Sequence, residues 1–203
     1  MLGLPSTTEV GRRLPKEAFY RNLKLDARTH DEFVRLIKRI TIANSIKPST
    51  ANVADGEAVH EIMVLEILLK GDEQPTRAIE AIATGNPHRL VFRTEPGGTT
   101  YLLRRGLHSA DGLDALTLVG RALDATWDSI CAQIIFDDED GTDVDGRIER
   151  ARRIAALEDE IAKLDAACHK AQQINRKNEL FARLKAKKSE LKLLESSENE
   201  KGE

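Results

Sequence analysis

The sequence predicts an α+β protein, a small mixed sheet with flanking helices, followed by a long C-terminal coiled-coil helix. Three observations carry this expectation. In VHEIMVLEILLKG, Val59, Met63, Leu65, Ile67 and Leu69 fall on one face and Ile62, Val64 and Leu68 on the other, the pattern of a central strand covered from both sides. Segments of helical and of strand period alternate around it. Residues 147–201 contain neither glycine nor proline, while isoleucine and leucine recur there at spacings of three and four.

Taken in order, Pro15 opens a short helix in LPKEAFYRNL, because its fixed φ suits a helix start, with Phe19, Tyr20 and Leu23 facing inward. Thr29 followed by Glu32 reads as a capping box for a second helix. Its apolar stripe is Phe33, Leu36, Ile37 and Ile40, and it should end before Pro48. The loop KPSTANVADGE leads into the central strand. Pro75 starts the next helix, Ile79 and Ile82 point to the sheet, and Gly85 with Asn86-Pro87 stops it. RLVFRT and TYLLRR then form a hairpin about Pro96-Gly97-Gly98. Residues 108–120 admit an edge strand at 116–119. In LDATWDSICAQII, Leu123, Trp127, Ile130 and Ile134 recur at helical spacing and close the body.

The organisation that follows is a globular domain over residues 1–136, an acidic linker over 137–146, and a long helix over 147–203 with a frayed end. DDEDGTDVDG, dense in acid and carrying two glycines, should be exposed and mobile. Beyond it, Ile154, Leu157, Ile161, Leu164, Cys168 and Ala171 form an a/d seam. Continuing the register puts Asn175 and Asn178 in the seam before Phe181, Leu184, Leu191 and Leu194 resume it. Without glycine or proline the helix reads as continuous, about 70 Å long at 1.5 Å per residue, with a hairpin bend at the polar patch as the alternative. Such a rod needs a partner helix or a second copy of itself. Candidate partner-binding residues are therefore Ile154, Leu157, Ile161, Leu164, Phe181, Leu184 and Leu191.

Charge divides the chain in the same place. The net charge is −3, yet residues 147–203 hold 14 Lys and Arg against 11 Asp and Glu, leaving 17 against 23 in the rest. Within the helix, Lys170, Arg176, Lys177, Arg183, Lys185, Lys187 and Lys188 face Glu179 alone. They are candidate nucleic-acid contacts, able to track phosphates without reading bases, or else a solvated helix face.

No catalytic residue, metal ligand or cofactor is expected. His30, His60, His88, His108 and His169 form no pair at zinc-binding spacing, and Cys131 and Cys168 read as core thiols. There is no Walker loop, dinucleotide fingerprint or G-x-S-x-G. Neither glycine in 137–146 frames a calcium loop. Glu61, Glu66 and Lys70 suggest a metal-dependent nuclease, but neither glutamate is followed by lysine at the second position, so at most a degenerate one is expected. No apolar run reaches signal-peptide or membrane-span length, and a cytoplasmic location is expected.

The order STTEVGRRLPKEAFY, IKPSTANV, EIMVLEILLK, AIATGNPHRLVF, LDATWDSICAQI and QQINRKNEL resembles a bacterial and archaeal family, domain of unknown function 4391. The resemblance spans nearly the whole chain and carries no catalytic motif. The resemblance implies a chain of the kind often encoded beside helicases and DNA methyltransferases of restriction and phage-defence clusters. It therefore implies a non-catalytic accessory protein whose partner is such a helicase or methyltransferase.

Overall fold

A computed structural model of the chain describes residues 2–199, and the side chains of residues 2–195. Among these residues it is an α+β protein with a six-stranded mixed sheet and seven α-helices, of which α3 (Pro48–Ala51) is a single turn after the second strand. The strands are β1 (Glu9–Leu14), β2 (Ile37–Ile46), β3 (Ile62–Leu69), β4 (Arg89–Glu95), β5 (Thr100–Leu103) and β6 (Leu107–Ala110), and they neighbour one another in chain order. Every pairing is antiparallel except β3 with β4. A parallel pair needs a crossover, and the helix α4 (Thr76–Thr84) supplies it.

One face of the sheet carries the main core. α1 (Lys16–Asn22), α2 (Ala27–Arg35) and α4 pack there, bringing Phe33, Ile79 and Ile82 onto Ile40, Leu65, Ile67 and Phe92, with Phe19, Tyr20 and Leu23 at its margin. The residues alternating with these, Ile62, Val64, Val91 and Leu102, are buried on the opposite face. α5 (Leu123–Phe136) packs on β5 and β6 and buries Leu123, Trp127, Ile130 and Ile134. β3 is thus covered on both sides, as its two apolar faces require.

Three expectations are corrected. The second helix ends at Arg35, and the stripe Ile37 and Ile40 belongs to β2. IKRITIANSI is rich in β-branched residues, and bulges between Ile37 and Arg39 and between Ile42 and Asn44 break its period-2 signal. The capping box is also different: Asp26 is the N-cap, its Oδ1 accepting from the Thr29 amide at 2.7 Å, while Glu32 accepts from the Ala78 amide at 3.0 Å. The edge strand lies at β6 rather than at 116–119. There the Gln133 side chain donates to the Thr117 carbonyl and accepts from the Thr117 amide, both at 2.9 Å, taking the place of a neighbouring strand. The acidic stretch is exposed at residues 137–140 and 142–143 and makes local contacts with α5. Ser129 Oγ donates to the Glu139 carbonyl at 2.8 Å, and a Cβ on Gly141 would meet the Ser129 amide nitrogen at 2.6 Å.

The chain divides into two compact units at Val144. The second consists of α6 (Val144–Lys170) and α7 (Ile174–Asn199), so the continuous helix gives way to the alternative reading, a hairpin. α6 closes with the Ala171 amide on the Ala167 carbonyl, and α7 opens with the Lys177 amide on the Gln173 carbonyl. Arg153 pairs with Glu190 at 2.9 Å and Lys187 with Glu160 at 3.0 Å, so the two helices run antiparallel as a hairpin. The turn forms without glycine or proline because of what it buries. Cys168, Leu180 and Leu184 pack together with Ile161, Leu164, Ala167 and Ala171. At about 1.5–3 kcal/mol per buried leucine or isoleucine, this outweighs a few helical hydrogen bonds, each of about 0.5–1.5 kcal/mol net.

Candidate functional site

Folding back sorts the residues singled out in the C-terminal segment. Leu157 and Leu184 are buried, while Ile154, Ile161, Leu164 and Leu191 are half-buried. Phe181, assigned to the seam from its spacing, is 63% exposed, and its neighbour Leu180 is buried instead. Asn175 and Asn178 are likewise exposed rather than in a seam. The turn at residues 171–173 resets the helical phase, so a register carried across it from Cys168 lands one position late. Ile174 and Leu193 also stand exposed, at 76% and 72%.

The basic residues divide too. Lys187 is half-buried and bonded to Glu160 at 3.0 Å and Glu190 at 3.4 Å, and those carboxylates raise its pKa. Arg176 pairs with Glu179 at 3.1 Å. Lys170, Lys177, Arg183, Lys185 and Lys188 are exposed and have no ion-pair partner among the described residues. Phe181, Lys185 and Lys188, at positions i, i+4 and i+7, share one face of α7 and line a shallow groove of about 300 Å³ with Leu184 and Ser189. The unit thus presents a mixed apolar and cationic stripe whose inner neighbour, Leu184, is already buried.

Glu61 accepts from Ser45 Oγ at 2.5 Å and lies 3.7 Å from His88 Nδ1. This places the carboxylate between a serine and a histidine, whereas a nucleophilic triad needs the histidine in the middle. Glu66 sits mid-strand on β3 between Thr41 of β2 and Arg93 of β4, on the opposite side of the sheet from Lys16 and the main core. Among the described residues no group of three or more His, Cys, Asp or Glu could hold a metal ion. His60 pairs with Asp55 at 3.0 Å, His169 lies 3.5 Å from Asp165, and His30 stacks on Tyr20 at 4.8 Å. Cys131 and Cys168 are both buried and free, and burial pushes the Cys131 thiol up to about 12 despite the nearby Arg104.

A second concentration of charge escaped the sequence reading. Arg13, Lys16, Lys38 and Arg39, from three separate segments, line one concavity on the body. Residues so far apart give no local motif, and only the β1–β2 pairing joins them.

The family model for a domain of unknown function (DUF4391) matches residues 2–110 and 104–191. The chain belongs to this family. No curated protein and no solved structure matches it. No helix among the described residues is long and apolar enough to cross a membrane.

Proposed function

We propose that this family member is a non-catalytic accessory protein, acting by contact within a bacterial DNA-processing or phage-defence assembly of the restriction type. Its partner would be a helicase or DNA methyltransferase of the same locus. The observation that carries the reading is the outer face of α7. Phe181 is 63% exposed beside Lys185 and Lys188, on a hairpin whose own apolar stripe is already sheltered. An exposed aromatic ringed by unpaired cations suits an acidic protein surface with an apolar pocket at its centre. Partner choice thus passes from the seam leucines to Phe181 and its lysines. Self-association through the seam has little left to bury.

Affinity purification of the tagged chain from its host, through washes of rising salt, tests this reading. A helicase or methyltransferase retained by the wild type and lost by Phe181→Ala supports it. A chain recovered alone, or a partner indifferent to Phe181, contradicts it.

Direct nucleic-acid binding is the second reading, and the five unpaired cations of the hairpin favour it. It requires an affinity that falls steeply with salt, with a log–log slope of up to about −4 to −5 if all five meet phosphates. Lys185→Gln with Lys188→Gln would then lower the slope by about 2. A complex stable through high salt assigns the protein partner instead.

A further inference from the structure

The two sides of the helical hairpin are not alike. One side is closed by ion pairs across the helices, Arg153 with Glu190 at 2.9 Å and Lys187 with Glu160 at 3.0 Å. At 3.6 residues per turn, Phe181 lies about 180° around α7 from Glu190 and about 120° from Lys187, with the buried Leu184 between Lys187 and Phe181. On α6, Glu158 and Asp165 lie about 120–160° from Arg153 and Glu160, with the buried Leu157 between. Both sets therefore stand across the seam, on a second side that these ion pairs do not reach.

On that second side the two helices differ in kind. α7 sets Ile174, Phe181 and Lys188 in line at steps of seven, with Lys177 and Lys185 beside them. Ile174 and Phe181 are 76% and 63% exposed, and the three lysines have no ion-pair partner among the described residues. α6 sets Glu158 and Asp165 in line, again seven apart, beside the half-buried Ile154 and Ile161 and the exposed Ala162. Glu158 has no ion-pair partner among the described residues, and Asp165 lies 3.5 Å from the exposed His169. One helix thus presents large apolar groups with cations, and the other small or half-covered groups with acids.

We propose that this side of the hairpin pairs with the same side of a second copy of the chain, forming a four-helix bundle. A two-fold axis running along the helices, between the copies, lays α7 of each over α6 of the other. Such an axis keeps every residue at its own level along the hairpin, and the closed side fixes those levels through Arg153 with Glu190 and Glu160 with Lys187. Lys185 and Lys188 of one copy then meet Glu158 of the other, Lys177 meets Asp165, and Phe181 meets Ala162, whose small side chain leaves room for the ring. The same contacts repeat with the copies exchanged. Turning the second copy end over end would instead set α7 on α7 and lysine on lysine, which is repulsive.

Size agrees with charge. Residues 174–195 span about 33 Å at 1.5 Å per residue, and two helices side by side are about 20 Å wide, so each copy covers on the order of 700 Å², close to the ~800 Å² per partner of a stable interface. A solvated helix face would explain the lysines but not the isoleucine and the ring in line with them. A nucleic-acid strand would meet the lysines but would bring its phosphates onto the side that carries Glu158 and Asp165. The inference goes beyond the partner reading and does not rest on it: the seam stays closed, and a heterologous partner that takes Phe181 displaces the second copy.

Sedimentation velocity of the purified, nuclease-treated full chain tests the proposal, with Glu158→Lys as one variant and Lys185→Glu with Lys188→Glu as the other. At about 50 μM, well above a micromolar dissociation constant, the wild type is expected as a dimer. Each variant alone carries like charges on both helices of this side and should be monomeric, its dissociation constant raised at least tenfold. An equimolar mixture of the two should dimerise again, since each supplies the charge the other lacks, which a change in the stability of one hairpin could not achieve. Circular dichroism confirms that the variants keep the wild-type helix content, and Phe181→Ala, which alters no charge, should weaken the dimer at least tenfold if either does not. A monomeric wild type overturns the proposal, as does a dimer unmoved by these substitutions or a mixture that stays monomeric. A dimer seen only before nuclease treatment assigns the stripe to nucleic acid and also overturns it. A monomer that still captures its partner through Phe181 removes the dimer and leaves the partner reading in place.

Discussion

Gln133 shows how one side chain can stand in for an element. Only 8% exposed, it gives the Thr117 backbone both a donor and an acceptor, and its Nε2 also reaches Ser129 Oγ at 3.1 Å. Gln133→Leu keeps the volume and leaves the Thr117 amide and carbonyl unmet. A loss of about 1–3 kcal/mol in urea unfolding is expected, with faster hydrogen exchange at Thr117. Cys131 carries a pH signature. Its folded pKa is raised from about 9 to about 12, because the thiol is kept neutral by burial. The stability from this group is fully present below pH 9 and declines above it, as the unfolded chain ionises while the folded one does not. The decline approaches about 1.4 kcal/mol per pH unit until the folded thiol also ionises. Thermal melts from pH 8 to 10 should fall more steeply for the wild type than for Cys131→Ala, and the native thiol should resist alkylation at pH 8.

Elements were legible where one period ran unbroken between clear stops. β3 was readable from two apolar faces, α4 from Pro75 and Gly85, and the β4–β5 hairpin from Pro96-Gly97-Gly98. β2 was not, since two bulges scatter its alternation and Phe33, Leu36, Ile37 and Ile40 mimic a helical stripe across the junction from α2. β1 escaped because an edge strand with exposed arginines shows no apolar face. The hairpin turn stood only as the alternative to a continuous helix because it has no breaker residue, and a decision made by tertiary burial leaves no local mark. Its consequence is a contrast between neighbours on α7. Leu184→Ala should cost about 2–3 kcal/mol and unfold the helix pair in circular dichroism. Phe181→Ala should leave stability within about 0.5 kcal/mol and act only on partner binding.

At the scale of the whole molecule, both units display cations that have no carboxylate partner among the described residues. The seven basic residues of the C-terminal segment were visible as a run, but which of them remain available depended on Glu160, Glu179 and Glu190 across and along the hairpin. The cations of the body were invisible as a group until the β1–β2 ladder joined residues 13 and 39. The contact role rests on the second unit being closed on itself, so that its outer face, rather than its seam, meets a partner. Spin labels at Arg153→Cys and Glu190→Cys, measured by pulsed dipolar spectroscopy in dilute solution, test that closure most directly. A closed hairpin predicts a single distance under about 20 Å, since the native side chains meet at 2.9 Å. A distance near 55 Å, that of a continuous helix at 1.5 Å per residue, would return the leucine seam to the surface and contradict the account.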